Sequence, residues 1–188
     1  MRLAAPRIAP LQDDELTEDQ REALAPMSAG GRSPLNIFRT LARAPKALTR
    51  FNEWGAYLLS RRNSLPPRER EIVVLRVGFL CKSGYEFTQH TRIGLSEGLT
   101  ADEITRIKAG ADAGWSPVDA ALIRMADELV KDHFVSDATW SALSEHFDEK
   151  QRMDAVFTAG QYTQVSMFLN TFGVQLDAGQ TLDPDLRG

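Results

Sequence analysis

Residues 66–81 read PPREREIVVLRVGFLC, and what this stretch becomes decides the fold. Its later part, residues 72–80, is almost wholly apolar. Val73, Val74 and Val77 would suit a strand, because β-branched side chains favour extended backbone. No apolar–polar alternation accompanies them, and the charged run RERE at 68–71 continues into the apolar one without a break. Pro66 and Pro67 suit a helix start, where a missing N–H costs nothing and the fixed φ is already helical. An acidic residue in the first turn suits the positive end of the helix dipole. The stretch is therefore predicted to be a helix, apolar nearly all round, and so central and buried.

The flanking sequence repeats this pattern. A break near residues 82–84 leads into a second helix to about Ser96, with Gly98 as its stop signal. Thr100 caps the next segment, with Glu103 completing a capping box and Gly110 ending it. Ser116-Pro117 opens a helix to about Lys131, Ser136 or Asp137 opens another, and the last runs from Glu149 to about Phe172. Upstream, Pro45 opens a helix with Leu48, Phe51, Trp54, Tyr57 and Leu58 along it. A shorter helix follows the break at residues 30–34, and Thr17 could cap one more. Residues 1–16 hold prolines and no sustained period, and are predicted as an arm lying over the body or over a neighbouring subunit. Residues 17–188 are predicted as a single domain. No strand pair or hairpin signal occurs, so the fold class is all-α, a helical bundle.

Composition narrows the function classes. The 188 residues are enough for one substantial core. A net charge of −4 gives no nucleic-acid footprint, and the Arg61-Arg62 pair reads as a solvated loop. No apolar run approaches the roughly 18–20 residues of a membrane span. The N-terminus turns acidic too early for a secretory signal, and the lone Cys81 allows no intrachain disulfide. A cytoplasmic protein is the expectation.

Chemistry concentrates in SGYEFTQH, residues 83–90. At about 100° per residue, Ser83, Glu86 and His90 fall within roughly 60° of arc on one helix. Glu71, at the start of the preceding helix, would face them if the two helices pack antiparallel. Two carboxylates around one imidazole make an acid–base unit. Burial raises a carboxylate's pKa, and the carboxylates hold the histidine protonated. Such a unit moves protons without a cofactor. The plainer alternative is a surface i,i+4 pair beside a solvated helix start. A metal would find three ligands in Glu71, Glu86 and His90. The bundle di-metal signature is Glu-x-x-His from two helices, however, whereas here a single Glu-x-x-x-His occurs. No metal and no cofactor is expected.

Residues 65–104, LPPREREIVVLRVGFLCKSGYEFTQHTRIGLSEGLTADEI, resemble the carboxymuconolactone decarboxylase family, which includes the alkylhydroperoxidase D-like (AhpD-like) proteins. The shared order is a helix opening Arg-Glu, an apolar run, a break, Tyr-Glu-x-x-x-His and a closing Glu-Gly-Leu-Thr. SPLNIFRTLARAP at 33–45 and NTFGVQLD at 170–177 agree more loosely. In the family's peroxidase branch a Cys-x-x-Cys-x-x-x-His motif supplies two thiols, and a glutamate on the preceding helix joins the relay. Anchored on His90, those thiol positions hold Ser83 and Glu86, and the relay glutamate is Glu71. A two-thiol peroxidase is thereby excluded within one chain.

The resemblance implies an all-α homo-oligomer, a trimer or hexamer, with pockets close to subunit contacts. It implies a cofactor-independent acid–base enzyme of the lyase or decarboxylase type, acting on a small organic acid, lactone or related carbonyl compound. His90 would be the main proton-transfer residue, Glu86 its partner and Glu71 its orienting group. Ser83, Tyr85, Tyr162, Asn170 and Arg39 would bind substrate, with Asn36 a further candidate and Arg39 or Arg76 a possible carboxylate anchor. The alternatives are a one-cysteine, peroxidase-related antioxidant protein using Cys81, and a non-catalytic oligomeric binding protein.

Overall fold

A computed structural model describes residues 3–187. In it the deciding stretch is helix α4, Pro67–Leu80, with Pro67 in its first turn. Every residue from Arg70 to Gly78 is buried, as an all-round apolar helix must be. Around it stand α1 Glu18–Leu24, α2 Asn36–Leu41, α3 Pro45–Leu59, α5 Gly84–Ser96, α6 Ala101–Ala109, α7 Pro117–Asp132, α8 Asp137–Ser144 and α9 Glu149–Phe172. Among the described residues there is no strand, and no helix is long and apolar enough to cross a membrane.

α4 packs on α5, α6, α7 and α9. Its Ile72, Val73, Val74, Leu75 and Val77 join Phe87, Leu122, Ile123, Met125, Ala155 and Tyr162 in the main core. The strand-favouring valines fill that core from a helix, because tertiary burial outweighs a weak local preference. Gly94 of α5 lets α4 close in: a Cβ there would stand 2.9 Å from Leu99 Cδ1 and 3.7 Å from Glu71 Cβ. The turn between the two helices places Lys82 in the left-handed region, at φ 52°. Ser83 N–H donates to the Gly78 carbonyl at 2.8 Å, and Asn170 Nδ2 donates to the Cys81 carbonyl at 2.8 Å.

The first residues lie along the chain's own body. Arg7 and Ile8 N–H both donate to the Phe172 carbonyl, at 2.8 and 3.2 Å, and Leu11 is buried. Residues after α9 fold back as well. Asp177 accepts from Tyr85 Oη at 2.6 Å, Gln89 Nε2 at 2.7 Å and Asn36 N–H at 2.8 Å. The loop before α4 is tied to α9 through Asp154, which accepts from Ser64 and Tyr57.

Candidate active site

His90 sits at the centre of the molecule's most unusual polar group. Nδ1 lies 2.6 Å from Glu71 Oε2 on α4, and Nε2 lies 2.9 Å from Glu86 Oε1 one turn back on α5. Glu71 is wholly buried, and Glu86 and His90 are buried beside it. Burial disfavours the charged ring, but the charges and hydrogen bonds of Glu71 and Glu86 outweigh it and push His90 up to about 10. At neutral pH the ring is a cation donating from both nitrogens. Arg70 Nε approaches the second oxygen of Glu71 only to 3.8 Å, and that oxygen has no hydrogen-bond partner.

Tyr162 of α9 meets the His90 ring edge-on, with centroids 4.8 Å apart. Burial, then the charges of Glu86 and Glu71, raise its hydroxyl well above the ordinary phenol value, so it stays a neutral donor. Glu86, His90 and Tyr162 line one end of a cleft of about 250 Å³. Its other walls include Ile37, Phe38, Phe51, Leu58 and Val165. No lysine or arginine lines it. Nor is any group of three or more His, Cys, Asp or Glu side chains among the described residues arranged to hold a metal ion.

The sequence of residues 45–128 matches the model of the carboxymuconolactone decarboxylase family. The match covers a little under half of the chain. The segment runs from the start of α3 into α7 and contains Glu71, Glu86 and His90, whereas Tyr162 lies beyond it. No curated protein matches the sequence. Solved structures share the AhpD-like fold over nearly the whole chain. An uncharacterized peroxidase-related protein from Ralstonia eutropha JMP134, with an alkylhydroperoxidase AhpD core, superposes with TM-score 0.78 at 22% identity, covering 93% of this chain and 95% of its own. A peroxidase-related protein from Silicibacter sp. TM1040 gives 0.74 at 14%, covering 94% and 92%. The debrominase Bmp8 gives 0.69 at 11%, covering 91% and 92%. At these identities the likeness is one of fold.

The structure distributes the remaining candidates. Tyr85 lines the cleft, but its hydroxyl is given to Asp177. Ser83 is not on the helical arc expected of it. It is the residue before α5, at φ −94° and ψ 87°, because the left-handed Lys82 turn delays the helix until Gly84. Its hydroxyl is buried without a partner and is not part of the cleft. Asn170 holds the Cys81 carbonyl, and Asn36 holds those of Gln175 and Leu176. Arg39 donates to Leu11 O, Pro34 O and Ser33 Oγ and pairs with Asp13, so its charge anchors the N-terminal arm. Arg76 binds Asp127 and the carbonyls of Ile107 and Lys108. Neither arginine reaches the trio. Cys81 is half-buried at the end of α4 and is absent from the cleft wall. Two cleft residues escape a reading by periodicity. Phe51 looks like one more core aromatic, and Gln161 looks like a helix-surface amide.

Proposed function

We propose that the protein is a cofactor-independent acid–base enzyme that moves a proton on carbon next to a carbonyl in a neutral, mainly apolar compound, such as a lactone. The observation that carries this is the placement of Glu86. Its carboxylate lines an apolar cleft while an imidazolium, itself held by Glu71, donates to it from behind. Both nitrogens of His90 are engaged, so Glu86 is the group that meets substrate and His90 stands one step back. Glu86 takes the proton. The Tyr162 hydroxyl, which makes no hydrogen bond with any described residue, donates to the carbonyl oxygen as charge gathers there. The His90 cation offsets charge changes at Glu86, and Glu71 fixes the ring.

A substrate carboxylate bound in the cleft would meet Glu86 with no cation beside it, which favours neutral substrates over organic acids. Homo-oligomeric assembly belongs to the same proposal: Leu35 and Leu59 at the cleft and Trp54 nearby are all more than a third exposed.

Solvent hydrogen–deuterium exchange tests the reading directly. γ-Butyrolactone and simple ketones are incubated with the protein in D₂O, and the α-C–H signal is followed by NMR. Wild type is expected to accelerate exchange and Glu86→Gln to lose the acceleration with its helical circular dichroism intact. Equal rates in both proteins sink the proposal.

A further inference from the structure

The cleft at Glu86, at about 250 Å³, is smaller than the roughly 300–1,000 Å³ of most small-molecule sites. A second cavity of about 580 Å³ lies beside it, between α2, α3 and α9. Phe51 and Gln161 line both. The two volumes together fall within the usual range for a ligand site. The outer floor is apolar, formed by Leu41, Leu48, Trp54, Phe168 and Phe172, and its rim carries Arg43 and Arg50.

Gln161 marks the junction. It is only 7% exposed, yet its amide makes no hydrogen bond with any described residue. Most of the side chain is buried, while the amide atoms themselves stay open to the cavity space. An amide with no protein partner on the wall of two adjoining cavities is placed to hydrogen-bond a polar group of a ligand.

We infer that the two cavities are one substrate site, and that the substrate is an elongated amphiphile. Its carbonyl head lies at Glu86 and Tyr162, a polar atom near the head bonds Gln161, and an apolar tail runs past Phe51 over Trp54 and Phe168. Gln161 and Phe51 set specificity at the junction. The head's chemistry rests on the proposed acid–base function; the tail rests on the cavities and on Gln161.

A ladder of γ-alkyl lactones, from γ-butyrolactone through γ-hexalactone and γ-octalactone to γ-decalactone, tests this by titration calorimetry. Affinity is expected to rise about threefold per added methylene as the tail enters the outer cavity. Ala47→Trp, on the exposed α3 wall of that cavity, should leave γ-butyrolactone unchanged and flatten the rise. Gln161→Leu should weaken every rung about tenfold, with the slope retained. A flat ladder in wild type, or an equal rise in Ala47→Trp, overturns the inference. A flat ladder in wild type together with loss of an oligomer in Ala47→Trp assigns the outer cavity to a second copy. Glu86→Gln separates the two claims, since it should abolish α-proton exchange and keep the ladder. A steep ladder without exchange in wild type leaves the elongated site standing and removes the acid–base function.

Discussion

The two most deeply buried carboxylates among the described residues, Asp154 and Glu71, are treated oppositely. Asp154 on α9 is saturated. Tyr57 Oη donates to one oxygen at 2.7 Å, while Ser64 N–H, Ser64 Oγ and Lys150 Nζ each donate to the other at 2.7 Å. Glu71 on α4 has the His90 contact on one oxygen and, on the other, no hydrogen bond but only the Arg70 guanidinium at 3.8 Å. A saturated buried carboxylate ties elements together and leaves no chemistry over. An under-satisfied one is joined through the His90 ring to a second carboxylate that lines a cleft, where a ligand can reach it. The contrast separates a structural cluster from a candidate catalytic one more sharply than burial does, since both are buried.

The largest expected effect lies on the catalytic side. Glu86→Gln should lower α-proton exchange by about 10²–10⁴-fold, the usual range for removing a general base, while the protein stays folded by circular dichroism. Asp154→Ala should do the reverse. Losing four hydrogen bonds at a buried tie costs on the order of 3 kcal/mol by urea denaturation, with exchange per folded molecule retained. If the two substitutions trade these outcomes, the contrast between the clusters is broken.

Tyr162→Phe comes next. Removing a donor to the charged oxygen should slow exchange by about 10–100-fold, with a smaller change in lactone affinity. The smallest effect is a pH dependence of stability. Because His90 is raised from 6.5 to about 10, its contribution is complete below pH 6.5 and is lost as pH rises through about 10. Asp154 runs the other way. Burial opposes its charge, but Lys150, Tyr57 and Ser64 hold it down at about 2, so its contribution is present above pH 3.8 and is lost as pH falls through about 2. Urea midpoints between pH 6 and 10 should fall in wild type and fall less in Glu71→Gln.

The helices were legible because their ends are chemical. Pro45, Pro67 and Pro117 stand in the first turns of α3, α4 and α7, and the Thr100–Glu103 capping box opens α6. The Glu71–His90–Glu86 contact was legible because 3.6-residue periodicity and an antiparallel helix pair place all three together. Ser83 was misplaced because one left-handed residue, Lys82, shifts the start of α5, and non-glycine residues rarely adopt that conformation. The charged state of Arg39 said nothing about its task, since the carbonyls that claim it, Leu11 O in the arm and Pro34 O in the loop before α2, come from residues with no periodic signal. The far wall of the cleft was illegible for a related reason. Phe51 and Gln161 come from helices on either side of the family segment's central motif, and no spacing rule connects them to it.

The close approach of α4 and α5 at Gly94 has a kinetic consequence. Glu71 and His90 are separated by 19 residues, and Glu86 and His90 by a single helical turn. Joining them needs only one short helical hairpin, whose closure sacrifices little chain entropy. Tyr162 and Gln161 arrive much later along the chain, on α9. Contacts of low sequence separation form early, and distant ones wait for the scaffold. During synthesis the trio can therefore assemble before α9 brings its part of the cleft wall, Gln161, Tyr162 and Val165. Docking of α9 is the step that turns a folded hairpin into a site.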